Sequence, residues 1–410
     1  MIEIEKALEL IAACANPLDS VETPLGEAVG QILSDDLYAT IDSPPYDKSM
    51  MDGYVFRAAD VAVQEHPSRL RLEIVERVFA GKVPQHEIKA GTAAQIMTGA
   101  MIPPSADTVV VVERATESQF AGRDFVEFDC NAYNLGQNIL KQGTVFRKGG
   151  LLISAGESIR PHDVGVLAEN GFDRCPVFRR PNVAVLTTGD ELVPHEFEPQ
   201  NGQIRDSNSP LIAALAQAAG CHVELLGIAR DEQSELNHAI RRGLSSDLLI
   251  LSGGVSAGAA DLVPNALATN GVVEVFHKVA VKPGKPIWFG YHDNAEHRCL
   301  VFGLPGNPAS SLVGFTILAR SAIQRMKGSC SAFPNYQQAK LTQQFVLKGD
   351  RVTFWPVLST VANSSLECTP LPWRGSADIF AITKANGLAR FVPRESSYEV
   401  GDTVDVLNLN

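Results

Sequence analysis

The sequence predicts a multidomain α/β protein whose central domain is a doubly wound parallel sheet. Three observations predict it. The 410 residues suffice for two to three domains at roughly 150 residues each. Strand-like runs at 182–188, 221–230 and 247–254 alternate with helical periodicity, which is typical of βαβ units and of a parallel sheet covered on both faces. The regions before and after this pattern are rich in short strands and turns.

The chain opens with a short helical element, because Ile4, Leu8 and Ile11 repeat at helical spacing before a proline ends the pattern. From 41 to about 140, short β-rich stretches are separated by Gly and Pro turns, which indicates an all-β insert. Residues 143–179 have a mixed pattern. These stretches predict smaller elements in front of the central domain.

The central α/β pattern continues with helices expected from Pro210, after Asp231 and after Asp261. Connections between parallel strands in one sheet are right-handed crossovers, so the helices are expected on both faces. After Lys327 the sequence returns to short strands and turns. That ending predicts a small β-barrel or a sandwich.

Composition excludes several classes of protein. With 35 basic and 47 acidic residues the net charge is −12, which argues against a surface that neutralises a polynucleotide. The start carries acids rather than a basic signal-peptide segment, and no apolar run is long enough to cross a bilayer, so a cytosolic location is expected. The seven cysteines and nine histidines are scattered without metal-ligand spacing, which predicts free thiols and no transition-metal site.

The most informative segment is LLILSGGVSAGAAD at 248–261. An apolar strand leads directly into glycines and a helix start, where backbone N–H groups can close on a phosphate. The candidate cradle residues are Gly253, Gly254, Ser256 and Gly258. Their spacing fits neither a P-loop nor a dinucleotide fingerprint. A tight strand-to-helix turn without a ligand is the alternative interpretation.

Two further turns follow strand ends with polar side chains. Asp190 and Glu191 are adjacent carboxylates, and a hard cation such as Mg²⁺ takes carboxylate and phosphate oxygens together. Asp190 could instead cap the next turn. Asp206, Ser207 and Asn208 precede a helix and could either cap it or contact a ligand.

Basic and small residues occupy the next two turns. Lys282 and Lys285 lie three residues apart on a turn stiffened by Pro and Gly, which suits an oxyanion. Pro305, Asn307 and Ser310 again follow a strand and start a helix. Five polar turns at successive strand ends predict one rim that holds a phosphorylated ligand.

In the β-rich insert, Asp52 lies in SMMDGY and Thr98 in IMTGA. Taken alone, both segments are typical of ordinary turns, and their sequence does not indicate a functional role.

Taken together, these segments resemble the molybdopterin molybdenumtransferase family, the bacterial counterparts of the gephyrin E domain. The resemblance spans nearly the whole chain. The motifs that carry it are, in order, SMMDGY, IMTGAMIPPSADTVVVVE, VLTTGDEL, DSN, LSGGVSAGAAD, VKPGKP and GLPGNPAS.

The resemblance implies four domains. A split linker domain would comprise 1–45 and 141–179, and an elongated β-rich domain 46–140. The molybdopterin-binding α/β domain would span 180–328, and a C-terminal β domain 329–410. It also implies a homodimer whose cleft joins the α/β domain of one subunit to the β insert of the other.

The resemblance further implies an activity, which is insertion of molybdate into adenylylated molybdopterin with release of AMP and of molybdenum cofactor. The implied cofactor is Mg²⁺, and the implied partners are these two substrates, a second copy, the molybdopterin adenylyltransferase and recipient molybdoenzymes. Neither nucleic acid nor a membrane is expected as a partner.

Site residues follow position by position. The glycine turn would bind the pterin phosphate or the pyrophosphate. The further implied substrate-binding residues are Asp206, Ser207, Asn208, Pro305, Asn307, Ser310, Arg374 and Ser376. Mg²⁺ would be bound by Asp190, Glu191 and Asp261. The implied catalytic residues are Asp52, Thr98, Glu191, Asp261, Lys282 and Lys285, with Asp52 and Thr98 arriving from the second copy. The two lysines would draw in molybdate and stabilise charge at phosphorus.

Two positions depart from the family pattern. Asn138 occupies a position where a carboxylate is expected, and Ala259 another; a neutral amide cannot act as a base. A homologue that binds pterin nucleotide or a protein partner without catalysis is therefore the alternative function. A nucleotide-sugar or dinucleotide enzyme on a similar sheet is the third.

Overall fold

A computed structural model describes residues 1–62, 69–130, 133–255, 262–294, 297–362 and 364–409. The chain divides into two compact units. The larger unit contains Met1–Asp35, Ala155–Val164 and Asp173–Asn410, and the smaller contains Asp36–Ser154 and Gly165–Phe172. None of the helices in the described stretches is both long and apolar enough to span a membrane.

The α-helices of the described residues are α1 (Ile4–Cys14), α2 (Ala59–Ala62), α3 (Pro161–Glu169), α4 (Asn208–Ala218), α5 (Gln233–Gly243), α6 (Val263–Thr269), α7 (Pro308–Gly314), α8 (Arg320–Met326) and α9 (Ile379–Ile382). A π-helical segment, Phe315–Ala319, joins α7 to α8. Short 3₁₀ turns occupy Leu25–Glu27 and Val112–Arg114.

The strands of the smaller unit are β2 (Leu37–Tyr38), β3 (Lys48–Ser49), β4 (Gly53–Phe56), β5 (Arg69–Val78), β6 (Thr92–Ile96), β7 (Thr108–Val111), β8 (Ala115–Phe120), β9 (Arg123–Asp129), β10 (Ile139–Leu140) and β11 (Leu151–Ile153). Strands β4 to β9 form one six-stranded sheet in the order β7-β4-β6-β5-β9-β8. Its buried side chains include Phe56 and Phe128, whose ring centroids lie 4.9 Å apart. The predicted β-rich insert is therefore present.

The strands of the larger unit are β1 (Ser20–Pro24), β12 (Arg174–Phe178), β13 (Asn182–Thr188), β14 (Leu192–Val193), β15 (Ile204–Arg205), β16 (His222–Ala229), β17 (Leu248–Ser252), β18 (Val273–His277), β19 (Val281–Lys282), β20 (Trp288–Asp293), β21 (Arg298–Leu304), β22 (Tyr336–Leu341), β23 (Val352–Ala362), β24 (Ser365–Pro370), β25 (Gly387–Phe391) and β26 (Thr403–Asn408).

The central sheet has the order β16-β13-β17-β21-β20-β18. Its first four strands are parallel, which confirms the predicted βαβ pattern. The last two, β20 and β18, are antiparallel, so the sheet is mixed at one edge. The sequence did not predict this hairpin-like edge because the short apolar runs of β18 and β20 carry no signal of strand direction.

Helices cover both faces of this sheet, as predicted. Strand side chains on one face pack with α1, α4, α7 and α8. Those on the other face pack with α5 and α6. The alternation is visible along β13, where Val185 belongs to the first cluster and Leu186 to the second. The sheet is therefore doubly wound.

The C-terminal strands form a barrel rather than a sandwich. They run in the order β23-β24-β22-β26-β25, and β25 pairs with β23 to close the ring. Closure leaves these strands without a free edge. Strand β19 also pairs with β23, through Val281 opposite Val352 and Lys282 opposite Thr353.

That pairing corrects one expectation. The VKPGKP turn was expected at an edge of the central sheet, but its strand belongs to the sheet of the barrel. A strand of two residues is fixed by the partner it pairs with, and that partner lies about seventy residues further along the chain.

Candidate functional site

The carboxyl ends of β13 and β17 are neighbours in the central sheet, and the helices that follow them lie on opposite faces. Such a point, where the chain turns to opposite sides of a sheet, opens a crevice that is the usual ligand position in open α/β folds. We call the strand-end residues around it the rim: Thr187 to Glu191, Asp206 to Ser209, Ser252 to Gly254, and Gly306.

Gly253 and Gly254 form the turn after β17 with φ values of +97° and +60°. A Cβ atom on Gly253 would lie 2.5 Å from the carbonyl oxygen of Thr188. One on Gly254 would lie 2.6 Å from Val263 Cγ2. Both positions therefore require glycine, because the turn packs directly on the end of β13 and the start of α6.

Asp206 is buried, and the protein itself satisfies its carboxylate. Oδ1 accepts hydrogen bonds from the backbone N–H groups of Asn208 and Ser209 at 3.0 and 3.1 Å. Oδ2 accepts from the Thr187 and Ser209 hydroxyls at 2.9 and 2.5 Å. The carboxylate thus ties the first turn of α4 to β13, which is the capping interpretation. Ser207 beside it is exposed.

Asn208, the first residue of α4, links this helix to the ends of two strands. Its Nδ2 donates to Ser252 Oγ at 2.8 Å and to the carbonyl oxygen of Gly306 at 2.7 Å. Its Oδ1 is buried and has no hydrogen-bond partner among the described residues, and neither has Thr188 Oγ1. These two atoms are the polar groups that the rim leaves unsatisfied.

Asp190 and Glu191 are exposed at the end of β13. Asp190 Oδ1 accepts a hydrogen bond from the backbone N–H of Asp231 at 3.2 Å. Within the described residues no group of three or more His, Cys, Asp or Glu side chains is arranged for a metal ion. The third expected ligand, Asp261, lies outside those residues, as do Ser256, Gly258 and Ala259.

A cleft of about 600 Å³ opens between the α/β domain and the barrel. It brings together seven of the predicted residues, which are Lys282, Lys285, Pro305, Asn307, Ser310, Arg374 and Ser376. Asn307 Nδ2 donates to Ser376 Oγ at 3.0 Å, and the N–H of Ala309 donates to the Ser376 carbonyl oxygen at 3.1 Å. The start of α7 and the turn at 374–376 are therefore joined.

The cleft also contains two cations that the sequence did not single out, Lys348 and Arg351. Arg351 Nη1 donates to the carbonyl oxygen of Val281 at 3.0 Å, and Lys282 Nζ donates to the Lys348 carbonyl oxygen at 3.1 Å. With Lys285 and Arg374 this makes five cations. No carboxylate lines the cleft in the part of the chain that the structure describes.

Arg374 is positioned through its backbone. Its N–H donates to the Asp378 carboxylate at 3.1 Å, and the N–H of Ala381 does the same. These hydrogen bonds lower the pKa of Asp378, so the carboxylate stays charged and holds the turn in place.

Asp52 and Thr98 lie in the smaller unit and are both exposed. Asp52 Oδ1 accepts from the backbone N–H of Thr98 at 2.6 Å and from its hydroxyl at 2.7 Å. The backbone bond and then the hydroxyl lower the pKa of Asp52, which remains a carboxylate at neutral pH. The structure thus places these two predicted residues together.

Asn138, one of the two positions that depart from the family pattern, has a structural role in the smaller unit. It adopts a left-handed conformation at φ 58°, which asparagine tolerates better than most residues. Its Nδ2 donates to the Val109 carbonyl oxygen at 2.9 Å, and its own carbonyl oxygen accepts from Met50 N–H. The amide is therefore used as a donor, which a carboxylate cannot be.

Comparisons with known proteins cover almost the whole chain. Residues 2–171 match the MoeA N-terminal region (domain I and II), 184–325 a probable molybdopterin binding domain, and 338–409 the MoeA C-terminal region (domain IV). A molybdopterin molybdenumtransferase of Staphylococcus epidermidis is 30% identical over 409 residues, covering 99% of this chain and 95% of the relative. One from Staphylococcus aureus is 28% identical over 407 residues, with the same coverage.

Solved structures agree with this. A molybdopterin biosynthesis MoeA protein from Pyrococcus horikoshii has a TM-score of 0.84 at 30% identity, covering 100% of this chain and 99% of that one. A second structure of that kind, from Pyrococcus horikoshii OT3, has a TM-score of 0.83 at 25% identity, with both chains covered completely.

Proposed function

The chain belongs to the MoeA family of molybdopterin molybdenumtransferases, and from that premise we propose that it inserts molybdenum from molybdate into adenylylated molybdopterin and releases AMP. It is an enzyme of molybdenum cofactor biosynthesis. The alternative of a binding protein without catalysis is not favoured, because the relatives named as transferases match over nearly their full length.

The five cations of the cleft are the observation that carries the proposal. Molybdate is a tetrahedral dianion, and the substrate carries a diphosphate. A cleft lined by Lys282, Lys285, Lys348, Arg351 and Arg374 attracts both, since a concave surface of one charge sign concentrates counter-ions. Lys285 and Arg374 are exposed and can reach an oxyanion directly. Ser376 and Asn307 add short polar contacts beside them.

We assign the rim to the pterin end of the substrate. The Gly253–Gly254 turn brings backbone close to the ligand crevice, and Asn208 Oδ1 can accept a hydrogen bond from an N–H group. Asp206 acts there as a positioning residue, because its four hydrogen bonds are already used by α4 and β13.

Mg²⁺ fits the donor set of the rim. Asp190 and Glu191 offer exposed carboxylate oxygens, and Mg²⁺ is usually held by one or two carboxylates together with phosphate oxygens and water. When bound, the ion would neutralise charge on the diphosphate. Lys282 and Lys285 would stabilise the negative charge that develops at phosphorus.

We further propose that the active form is a homodimer in which a second copy supplies Asp52 and Thr98. The neighbouring Met50 and Met51 support this, because both are large apolar side chains that are about half exposed in the single chain. A cytoplasmic location is proposed because all seven cysteines are free thiols, as in a reducing compartment.

The test is incubation of the purified protein with adenylylated molybdopterin, molybdate and Mg²⁺, followed by chromatographic measurement of AMP. We expect AMP release that depends on molybdate and stops when a chelator removes Mg²⁺. Tight binding of the substrate without AMP release would contradict the proposal and would favour the binding-protein alternative.

A further inference from the structure

The barrel side of the cleft contains aromatic residues to which the reaction proposed above gives no part. Phe345, Trp355 and Trp373 line the cleft together with Lys282 and Lys285. We call these three the aromatic wall. The two tryptophans are partly exposed, so they present ring surface to the cleft, whereas Phe345 is buried.

The rings of the aromatic wall are fixed in place. Trp355 and Trp373 stand perpendicular, with centroids 5.1 Å apart, and Trp355 meets Phe345 at 5.0 Å and 69°. The indole N–H of Trp355 donates to the Leu371 carbonyl oxygen at 2.8 Å, and that of Trp373 donates to the Asp378 carbonyl oxygen at 2.9 Å. Because both N–H groups are used within the protein, the wall contributes ring surface rather than hydrogen bonds.

Aromatic surface and positive charge occur together in this cleft. Trp373 directly precedes Arg374, and Lys348 and Arg351 lie on the same side as Trp355. A cleft of about 600 Å³ has the size of a small-molecule site. Its chemistry fits a ligand with a flat conjugated ring and a negatively charged tail, since rings stack on aromatic side chains and phosphates pair with Lys and Arg.

We propose that the aromatic wall binds the planar nitrogen heterocycle of the phosphorylated substrate by stacking on Trp373, while the cations of the cleft hold its phosphate. This inference rests on the proposed function and adds a specificity element to it. The substrate contains two such heterocycles, the pterin and the adenine. Because the rim is assigned to the pterin end, the adenine is the ring expected on Trp373; stacking of the pterin there would reverse the assignment of the rim but keep the aromatic wall.

Tryptophan fluorescence tests the proposal directly. The chain has three tryptophans, and the third, Trp288, is buried and donates to Glu274 at 2.8 Å, so it reports a constant background. The probes are AMP, molybdopterin and inorganic phosphate. We expect at least one of the two heterocyclic probes to quench the fluorescence and phosphate to leave it unchanged. Quenching by AMP would identify adenine as the stacked ring, and quenching by molybdopterin alone would identify the pterin.

Variants then assign the effect to one ring. Trp373→Leu should weaken binding of the quenching probe about tenfold and leave phosphate competition unchanged, because stacking on one aromatic ring contributes about that much. Trp373→Phe keeps an aromatic ring and should lose less. Phe380→Leu is the matched control, since Phe380 is exposed on the same segment but does not line the cleft, and it should behave as the unsubstituted protein.

Two results would overturn the inference. One is the absence of quenching by both heterocyclic probes, and the other is an equal loss of phosphate and heterocycle binding in Trp373→Leu. Either result leaves AMP release by the unsubstituted protein as a separate measurement, so a failure of the proposed reaction is distinguished from a failure of the aromatic wall.

Discussion

The rim and the cleft use opposite means to prepare for a ligand. At the centre of the rim, Thr187, Asp206 and Ser209 are buried and bonded to one another, as the four hydrogen bonds to Asp206 show. The cleft keeps Lys285 and Arg374 in contact with solvent. Shape and backbone approach are therefore fixed at the rim, whereas charge is displayed in the cleft. Substitutions should accordingly damage folding at the rim and affinity in the cleft.

The largest expected effect is at Gly253. Gly253→Ala places a Cβ 2.5 Å from a backbone oxygen and keeps a positive φ. We expect a loss of about 3 kcal/mol in the free energy of unfolding, from overpacking and the left-handed conformation together. Gly202→Ala is the control, because φ there is +87° but nothing lies within 4 Å, and it should cost about 1 kcal/mol. Urea unfolding measures both, and equal losses would contradict the close packing of the rim.

The next largest effect is expected at the adjacent threonines of β13, Thr187 and Thr188. Replacing them by valine should change the free energy of unfolding in opposite directions. Thr187 Oγ1 bonds to Asp206 at 2.9 Å and to Ser209 at 3.1 Å, so Thr187→Val should cost about 2 kcal/mol. Thr188 Oγ1 is buried without a partner among the described residues, so Thr188→Val should stabilise the protein by about 1 kcal/mol. Thermal unfolding without ligand distinguishes the two, and a loss in Thr188→Val would show that its hydroxyl is satisfied.

In the cleft, Lys285→Ala should leave the free energy of unfolding unchanged, because the side chain is exposed. It should raise the KM for molybdate about tenfold, since one exposed cation contributes roughly 1.4 kcal/mol to binding a dianion. The KM should also depend less on ionic strength, because one screened charge is gone. Lys6→Ala is the control: Lys6 is exposed and pairs with Glu9 on α1. Equal KM changes in both variants would mean that net charge, rather than the cleft, binds molybdate.

The smallest expected effect is at Asn138 in the smaller unit. Its side chain, like that of Asp206 in the rim, is hydrogen-bonded within the protein. In the unsubstituted protein, Asn138 Nδ2 donates to the Val109 carbonyl oxygen at 2.9 Å. Asn138→Asp places an acceptor opposite that oxygen and should lower the free energy of unfolding by about 1 kcal/mol. Asn138→Gly suits the φ of 58° and is the control for the lost hydrogen bond alone. AMP release by Asn138→Asp that greatly exceeds the unsubstituted level would instead show that the missing carboxylate limits catalysis.

Much of this arrangement could be predicted from the sequence. Parallel strands bring their carboxyl ends to one edge, so the turns at Asp190 and Gly253 were expected together. Asp206 instead follows β15, which pairs with β14 outside the central sheet, and its carboxylate is tied to β13 through the Thr187 hydroxyl. The family implied by the motifs is confirmed, as are the doubly wound sheet and the β-rich insert. The choice between barrel and sandwich needed the β23–β25 pairing, which no local pattern encodes.

Lys348, Arg351 and Trp355 could not be predicted as cleft residues. In the sequence they are ordinary turn and strand residues of a β domain, and only the packing of the barrel on the α/β domain gives them a common surface. Asp206 shows the reverse limit: capping and ligand binding use the same residue type, and only its four hydrogen-bond partners distinguish them.

The pairing of β19 with β23 has a consequence for modularity. Val281 and Lys282 lie within the α/β part of the chain, yet they pair with Val352 and Thr353, and Arg351 reinforces the link through the Val281 carbonyl oxygen. Truncation before the barrel would remove β23, the strand with which β19 pairs. Exchange of barrels between relatives would replace β23 and Arg351 while leaving β19 unchanged. The lysine turn and the C-terminal barrel therefore form one structural unit.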